Sequence, residues 1–396
     1  MTSAFDEFVT RVGPGAPERE RERRLLTAEL AELRAIGFGT WRVPAEFGGS
    51  PLALEEQFAR LIRLSAADAS LGHVWRGHLA FVESLRLQPA DAARPWFERI
   101  LAGDFVGNAQ SERHATAHLE TRIDRTSGRP LLSGTKYYTT GSIYADWIHL
   151  AALDGDDRVA VTVSAHHAGV RSTDDWDGFG QLLTGSGTTV FDRVPVAGDG
   201  ILPSVTTDAA ARGAHLGSVL QLALIAVIAG IAQRALDDTI AFVTPRRRTF
   251  GFAGETLPRE DPLVQLVVGE LSVAAATVRR LVLSVAADLG AASDQGATAE
   301  EFREIQFEVF RLQEIVPRLV LEATTRLFEV GGASAVGTGP ALDRHWRNVR
   351  TIASHNPVIQ RTRALGRFAL TGTLPEWSAP AAEETRTPRY ARVGQA

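Results

Sequence analysis

The sequence predicts an α+β protein in three consecutive parts: a helical domain, a small β domain and a bundle of long helices. Three observations carry this. Apolar residues recur at helical spacing from residue 18 to about 105. From Phe105 to about 205, short runs of β-branched and aromatic residues alternate with Gly, Asp and Ser turns. From about 210 the helical period returns in four long windows. The expected domains are residues 1–105, 106–207 and 208–396.

Each part follows from its residues. "ERERERRLLTAELAELRAI", residues 18–36, is rich in strong helix formers, and Gly37 is expected to end that helix. "WRVPAEFGGSPLALEE" reads as a turn entering two apolar helices, and "AARPWFERILAG" as another short one. In the middle, "HLETRI", "KYYTTG", "WIHLAAL", "VAVTVSA" and "TTVFDRVPV" read as strands of an antiparallel barrel or sandwich. The C-terminal windows are 212–245, 260–290, 299–332 and 341–371, an antiparallel four-helix bundle by their length and loops. The polar tail "APAAEETRTPRYARVGQA" is expected to be poorly ordered.

Composition excludes several functions. The 396 residues are 44% hydrophobic and 22% charged, ordinary for a globular enzyme, and a net charge of -5 argues against general attraction to nucleic acid. With no cysteine, there are no disulfides, thiolate nucleophiles or cysteine-held metals. The His166–His167 pair has no ligand set nearby and no H-E-x-x-H occurs, so no metal site is expected. There is no G-x-S-x-G elbow or P-loop. The N-terminus has no cationic start followed by an apolar run. The uncharged stretch Leu216–Ala232 reaches the length of a membrane span, but Gln221 interrupts it, and it is read as a buried bundle helix. The expectation is a cytoplasmic protein with no membrane contact.

Four motifs, in order, resemble the acyl-CoA dehydrogenase superfamily. They are "VPAEFGGSPLALEE", "LLSGTKYYTTGSIYADW", "RRRTFGFAGE" and "LFEVGGASAV". The resemblance implies that fold: an N-terminal α-helical domain, a middle antiparallel β-barrel and a C-terminal four-helix bundle. Two departures matter. The dehydrogenases' "E-P-x-x-G-S-D" loop is replaced by "GNAQSERHA", and "LDRHWRNVRTIASHNP" carries no Glu or Asp near His355 where those enzymes hold a proton-abstracting carboxylate. "GNAQSE", "DDWDGFGQLLTGSGTTVFDRVPV" and "RHWRNVRTIASHNP" instead resemble the group D flavin monooxygenases of this fold, the dibenzothiophene monooxygenase-like branch.

That resemblance implies a two-component monooxygenase. Reduced FMN, with FAD as the alternative, arrives from a separate NAD(P)H-flavin reductase and reacts with O2. The resulting C4a-hydroperoxyflavin oxygenates an aromatic, heteroaromatic or organosulfur small molecule. The alternative is an acyl-CoA dehydrogenase or N-oxygenase of the same fold. It also implies a homotetramer.

The same resemblance assigns candidate residues. His355, Asn108 and Thr140 would surround the reacting centre, His355 and Thr140 as donors. Thr139 and Ser142 are close enough to Thr140 to share its role toward the cofactor. Trp176 would wall the flavin ring and Ser186 touch its polar chain. Arg248, from this or a neighbouring subunit, would hold the phosphate, with Ser334 in the glycine turn nearby. His78, with His73 as a rival, would face substrate. Each has a bland reading as well: His355 a cap before Pro357, Asn108 a turn residue, Thr140 a strand former, Trp176 core, His78 structural.

Overall fold

The N-terminal helical run is broken where the sequence suggested one continuous helix. In the computed structural model, which describes residues 3–113, 119–126, 128–203, 209–248 and 256–373, α2 (Ala16–Glu22) and α3 (Thr27–Ala35) are separated at Arg23, φ 49°. Arg23 is held there because its guanidinium donates to the Trp176 carbonyl at 2.9 Å. The stop at Gly37 is present, with φ 84°, where a side chain would strain the turn. A capping box of Ser3 and Asp6 opens α1 (Ala4–Val12). Then follow α4 (Leu54–Ala67), α5 (Ala69–Val74), α6 (Arg76–Arg86) and α7 (Ala90–Leu101).

The turn between α3 and α4 is fastened by a buried ion pair. Arg42 Nε lies 2.6 Å from Glu83 Oε1, and its Nη1 donates to the Leu52 carbonyl at 2.8 Å. Both side chains are almost fully buried, and His215 Nε2 lies 3.4 Å from the other carboxylate oxygen. Removing one partner of such a pair strands a charge away from water. Arg42→Met is expected to cost about 3 kcal/mol or more, read as a lower urea midpoint. A midpoint unchanged from the parent would show that Arg86, 3.5 Å from Glu83, suffices alone.

Among the described residues, seven strands form one sheet: β1 (Val106–Ala109), β2 (Arg122–Asp124), β3 (Leu131–Lys136), β4 (Trp147–Asp154), β5 (Asp157–Ser164), β6 (Val170–Thr173) and β7 (Thr188–Pro195). β1 and β2 run parallel to opposite ends of one edge of β4, and β5 pairs antiparallel with its other edge. β3 joins β2 to β7, and β6 closes the row. The expectation of an antiparallel barrel is corrected twice. Two pairings are parallel, because the chain between β1 and β4 is long enough to cross over and return. Among the described residues no ladder joins β5 to β6, so the hydrogen-bonded sheet is open. "KYYTTG" also leaves the sheet after Lys136, since Tyr138 takes φ 58° in a turn.

The C-terminal helices are α8 (Ala209–Val243), α9 (Pro262–Gln295), α10 (Ala299–Arg326), α11 (Asp343–Ala353) and α12 (Val358–Thr371). α8, α9 and α10 pack against one another, and α8 and α9 pack against α4. α8 is long and apolar enough to cross a membrane, but most of its surface is buried in this core. The fourth window, 341–371, is two helices. Pro357 has no N–H to continue the ladder, so α11 ends at Ala353 and α12 starts after a short turn. That turn carries His355. Residues 249–255 of the "RRRTFGFAGE" motif, and the tail from 374, lie outside the described residues.

Candidate active site

A cavity of about 780 Å³ lies where the three parts of the chain meet. Its wall takes His73 and Arg76 from α5 and α6, and Asn108 from β1. Tyr138 and Thr140 come from the turn after β3, Trp176, Gln181 and Ser186 from the β6–β7 connection, and His355 from the α11–α12 turn. Six of the residues singled out in the sequence therefore line one cavity: Asn108, Thr140, Trp176, Ser186, His355 and the rival His73.

The turn holding His355 is anchored on both sides. Its backbone N–H donates to Ile352 O at 3.0 Å, and Asn356 Nδ2 donates to Gln221 Oε1 on α8. His355 Nε2 sits 3.3 Å from Arg76 Nη1. A guanidinium can only donate, so Nε2 accepts and the ring proton resides on Nδ1. The residue keeps an exposed edge, but desolvation of the ring at the cavity wall, then the Arg76 charge and the nearby His73, push it down to about 3, with the Asn356 amide opposing. His355 is thus a neutral imidazole that offers one donor, Nδ1–H.

Asn108 is brought to the cavity by a close approach of β1 to α6. A Cβ at Gly77 would stand 2.6 Å from the Asn108 Cβ, so only glycine lets the two pack. Asn108 N–H donates to Thr140 O at 3.2 Å, which ties the two candidates together, and its side-chain amide makes no hydrogen bond among the described residues.

Thr140 differs from expectation. Thr184 Oγ1 donates to the Gln181 carbonyl at 2.9 Å, so its single proton is used. Ser186 Oγ, 2.8 Å away, then donates to Thr184, and Thr140 Oγ1, 2.7 Å from Ser186, donates to Ser186. The relay leaves Thr140 with lone pairs for a ligand, an acceptor where the sequence suggested a donor.

Trp176 is fixed by Nε1–H to Gly180 O at 3.0 Å and by Tyr138, edge-on at 6.1 Å. The adjoining loop is clamped to α11: Gln181 N–H donates to Asn348 Oδ1 at 2.6 Å, and Arg347 to the Phe179 carbonyl at 2.9 Å.

Other candidates lie elsewhere. His78 does not reach the cavity. Its Nε2–H donates to Gly39 O at 3.0 Å, Nδ1 accepts from Val106 N at 3.1 Å, and the ring stacks on Phe105. Both nitrogens are spent, one within the helical domain and one on holding β1 to it, so the substrate-facing expectation is corrected to a structural role. Thr139 is buried behind the wall, donating to Gly187 O and meeting Thr189 Oγ1. Ser142 donates weakly to Asn108 O at 3.4 Å and also lies off the wall. Arg248 and Ser334 are exposed and do not line this chain's cavity. Phe242, under the Arg246 guanidinium, packs on Gly331, so the arginine run and the glycine turn meet at one end of the bundle.

Sequence reasoning left His73 as a rival and passed over Arg76 and Gln181. Helix phase was the available signal. At 3.6 residues per turn, residue 76 lies about 60° from residue 73, but residue 78 about 140° away. His73 Nδ1 is 3.0 Å from Gln181 Oε1, while His73 Nε2 and Gln181 Nε2 are buried without partners.

The chain is similar to known proteins along nearly its whole length. Residues 222–359 match the family model "Acyl-CoA dehydrogenase, C-terminal domain". The probable FMNH2-dependent monooxygenase SfnC of Pseudomonas putida is 30% identical over 373 residues, covering 91% of this chain and 92% of that one. Dibenzothiophene monooxygenase of Rhodococcus qingshengii is 29% identical, covering 91% and 90%. The crystal structure of FMN-bound TdsC from Paenibacillus sp. A11-2 superposes with a TM-score of 0.85 at 29% identity, covering 95% and 98%. The chain belongs to the flavin-dependent monooxygenases built on the acyl-CoA dehydrogenase fold.

Proposed function

We propose that this chain takes reduced FMN and O2 and inserts one oxygen atom into an aromatic, heteroaromatic or organosulfur small molecule, with a separate NAD(P)H-flavin reductase supplying the flavin. The observation that carries the reading is the gathering of Asn108, Thr140, Trp176, Ser186 and His355 around one cavity. Its volume falls in the range of cofactor sites, and its buried unpartnered polar atoms fit a ligand rich in hydrogen-bonding edges.

FMN, when bound in reduced form, supplies the electrons and the activation of oxygen. The chain's own residues bind, orient and protect. Trp176 offers a flat wall for a ring system. The lone pairs of Thr140 suit an N–H such as N5–H of the reduced ring. Asn108 can donate and accept at the same edge. His355, neutral, holds an N–H donor at the wall. Thr139 and Ser142 support these residues from behind. Arg248 and Ser334 fit a phosphate contact donated across subunits of a homotetramer. Asp177, the lone acidic lining residue among those described, is exposed on the Trp176 loop, so an acyl-CoA dehydrogenase lacks its base beside His355.

The finer architecture belongs to the same reading: domains at 1–105, 106–207 and 208–396, and a four-helix bundle whose fourth member is the broken α11–α12 pair. A cytoplasmic site fits an enzyme fed by a diffusing reduced flavin. Anaerobic titration with photoreduced FMN, then mixing with oxygen, tests the activity. Saturable binding is expected, with hydrogen peroxide released more slowly than from free reduced FMN. No affinity in either redox state, or rapid reduction of bound flavin by an acyl-CoA, would overturn it.

A further inference from the structure

Arg76 has no counter-charge. It is 7% exposed, yet among the described residues no carboxylate lies within ion-pair distance. Of its five N–H donors, one serves the Leu220 carbonyl at 3.0 Å and one the neutral His355 ring. Three remain at the cavity wall. A guanidinium withdrawn from water without an anion is costly, and a fold does not hold one in a cavity for packing alone.

A second, independent feature adjoins it. Gln181 is 1% exposed, its Oε1 meets His73 Nδ1, and its Nε2 is left without a partner. His73, 6% exposed, has its Nε2 unpartnered as well. Gln181, His73, Arg76 and His355 thus form one continuous wall whose unspent capacity is mostly donor. The same cavity is also lined by Tyr138, Trp176 and Phe179.

We propose that the Arg76 wall is an oxyanion seat: the molecule oxygenated here carries a carboxylate or a similar small acidic group on an unsaturated or aromatic body. The Arg76 fork pairs with the anion, Gln181 Nε2 donates to it, and the aromatic face takes the body. This rests on the cavity being the substrate site of a flavin monooxygenase. It adds that Arg76 selects among substrates by charge, where a purely apolar pocket would not.

Binding to the flavin-free full chain tests it apart from catalysis. Benzoate and its neutral near-isostere benzamide are titrated by calorimetry, with oxidised and reduced FMN titrated in parallel. The parent is expected to bind benzoate at least tenfold more tightly than benzamide, with the preference reduced by salt. Arg76→Gln is expected to shrink that preference to about twofold while leaving FMN affinity within about threefold, and Arg76→Lys to keep part of it. Equal affinity for benzoate and benzamide in the parent overturns the proposal without any variant. So does an unaltered preference in a folded Arg76→Gln, or a loss of reduced-FMN binding there with benzoate binding intact, which would assign the guanidinium to the flavin. Failure of FMN to bind while benzoate retains its preference would count against the monooxygenase reading and leave the seat standing.

Discussion

His355→Ala is expected to uncouple the enzyme. Oxygen uptake per reduced FMN should persist, while the share of oxygen appearing in product falls on the order of 10²-fold and the balance appears as hydrogen peroxide. His355 stands on an exposed turn held by the Ile352 carbonyl and the Asn356–Gln221 contact, neither of which uses the imidazole. Deleting the ring should therefore spare the fold and leave FMN affinity nearly unchanged. What it removes is the Nδ1–H donor, and it leaves Arg76 with one more unused N–H. His355→Gln, which keeps an N–H donor, should recover part of the coupling. Since the ring sits near 3, far below its ordinary value, coupling should show no step near pH 6.5 from this residue. Peroxide yield in His355→Ala equal to that of the parent would sink the role.

How much of this was readable in advance depends on whether the signal is local. The order of helices, sheet and helices was legible because periods of 3.6 and 2 are properties of neighbouring residues. The break before α12 was only half legible: Pro357 marks a stop, but 341–371 reads as one helical window by its period. The split at Arg23 was not, because it depends on a bond to the Trp176 carbonyl over a hundred residues away. The two parallel pairings depend on how a long connection routes itself. Within the site, Asn108 and Trp176 could be named from motifs. Thr140 could be named, but not its polarity: the direction of its proton follows from Ser186, Thr184 and the Gln181 carbonyl, brought together only by folding. His78 looked like the substrate histidine because a histidine on an apolar helix looks the same on either face. Arg76 was passed over, because a charged residue on a helix usually lies at the surface and draws no attention.

Acid should unfold this protein earlier than its carboxylates alone would dictate. Among the described residues, four histidines are held neutral by enclosure in the fold: His73, His78, His149 and His345 are pushed down to about 4. In the unfolded chain each would titrate near 6.5. Between those values the unfolded state binds more protons than the folded one, so stability rises with pH through the window and is lost as pH falls from about 6.5 toward 4. Above 6.5 both states are neutral and the contribution is complete. His78 carries the clearest share, since protonating Nδ1 would break its bond from Val106 N–H, and the residue is 1% exposed. A fully buried ring displaced this far contributes up to about 3 kcal/mol, and His73 adds a comparable amount. Glu83 acts lower: its carboxyl, held near 2 by His215 and Arg42 against burial, sheds its contribution only below about 4.5. Urea midpoints measured from pH 7.5 to 4 should therefore fall steeply below 6.5, before the carboxylates titrate. His78→Phe should start lower at pH 7.5, having lost two hydrogen bonds, yet fall less across the window. A parent curve flat from 6.5 to 5, or a His78→Phe curve of unchanged slope, would mean that these rings are already protonated in the folded protein.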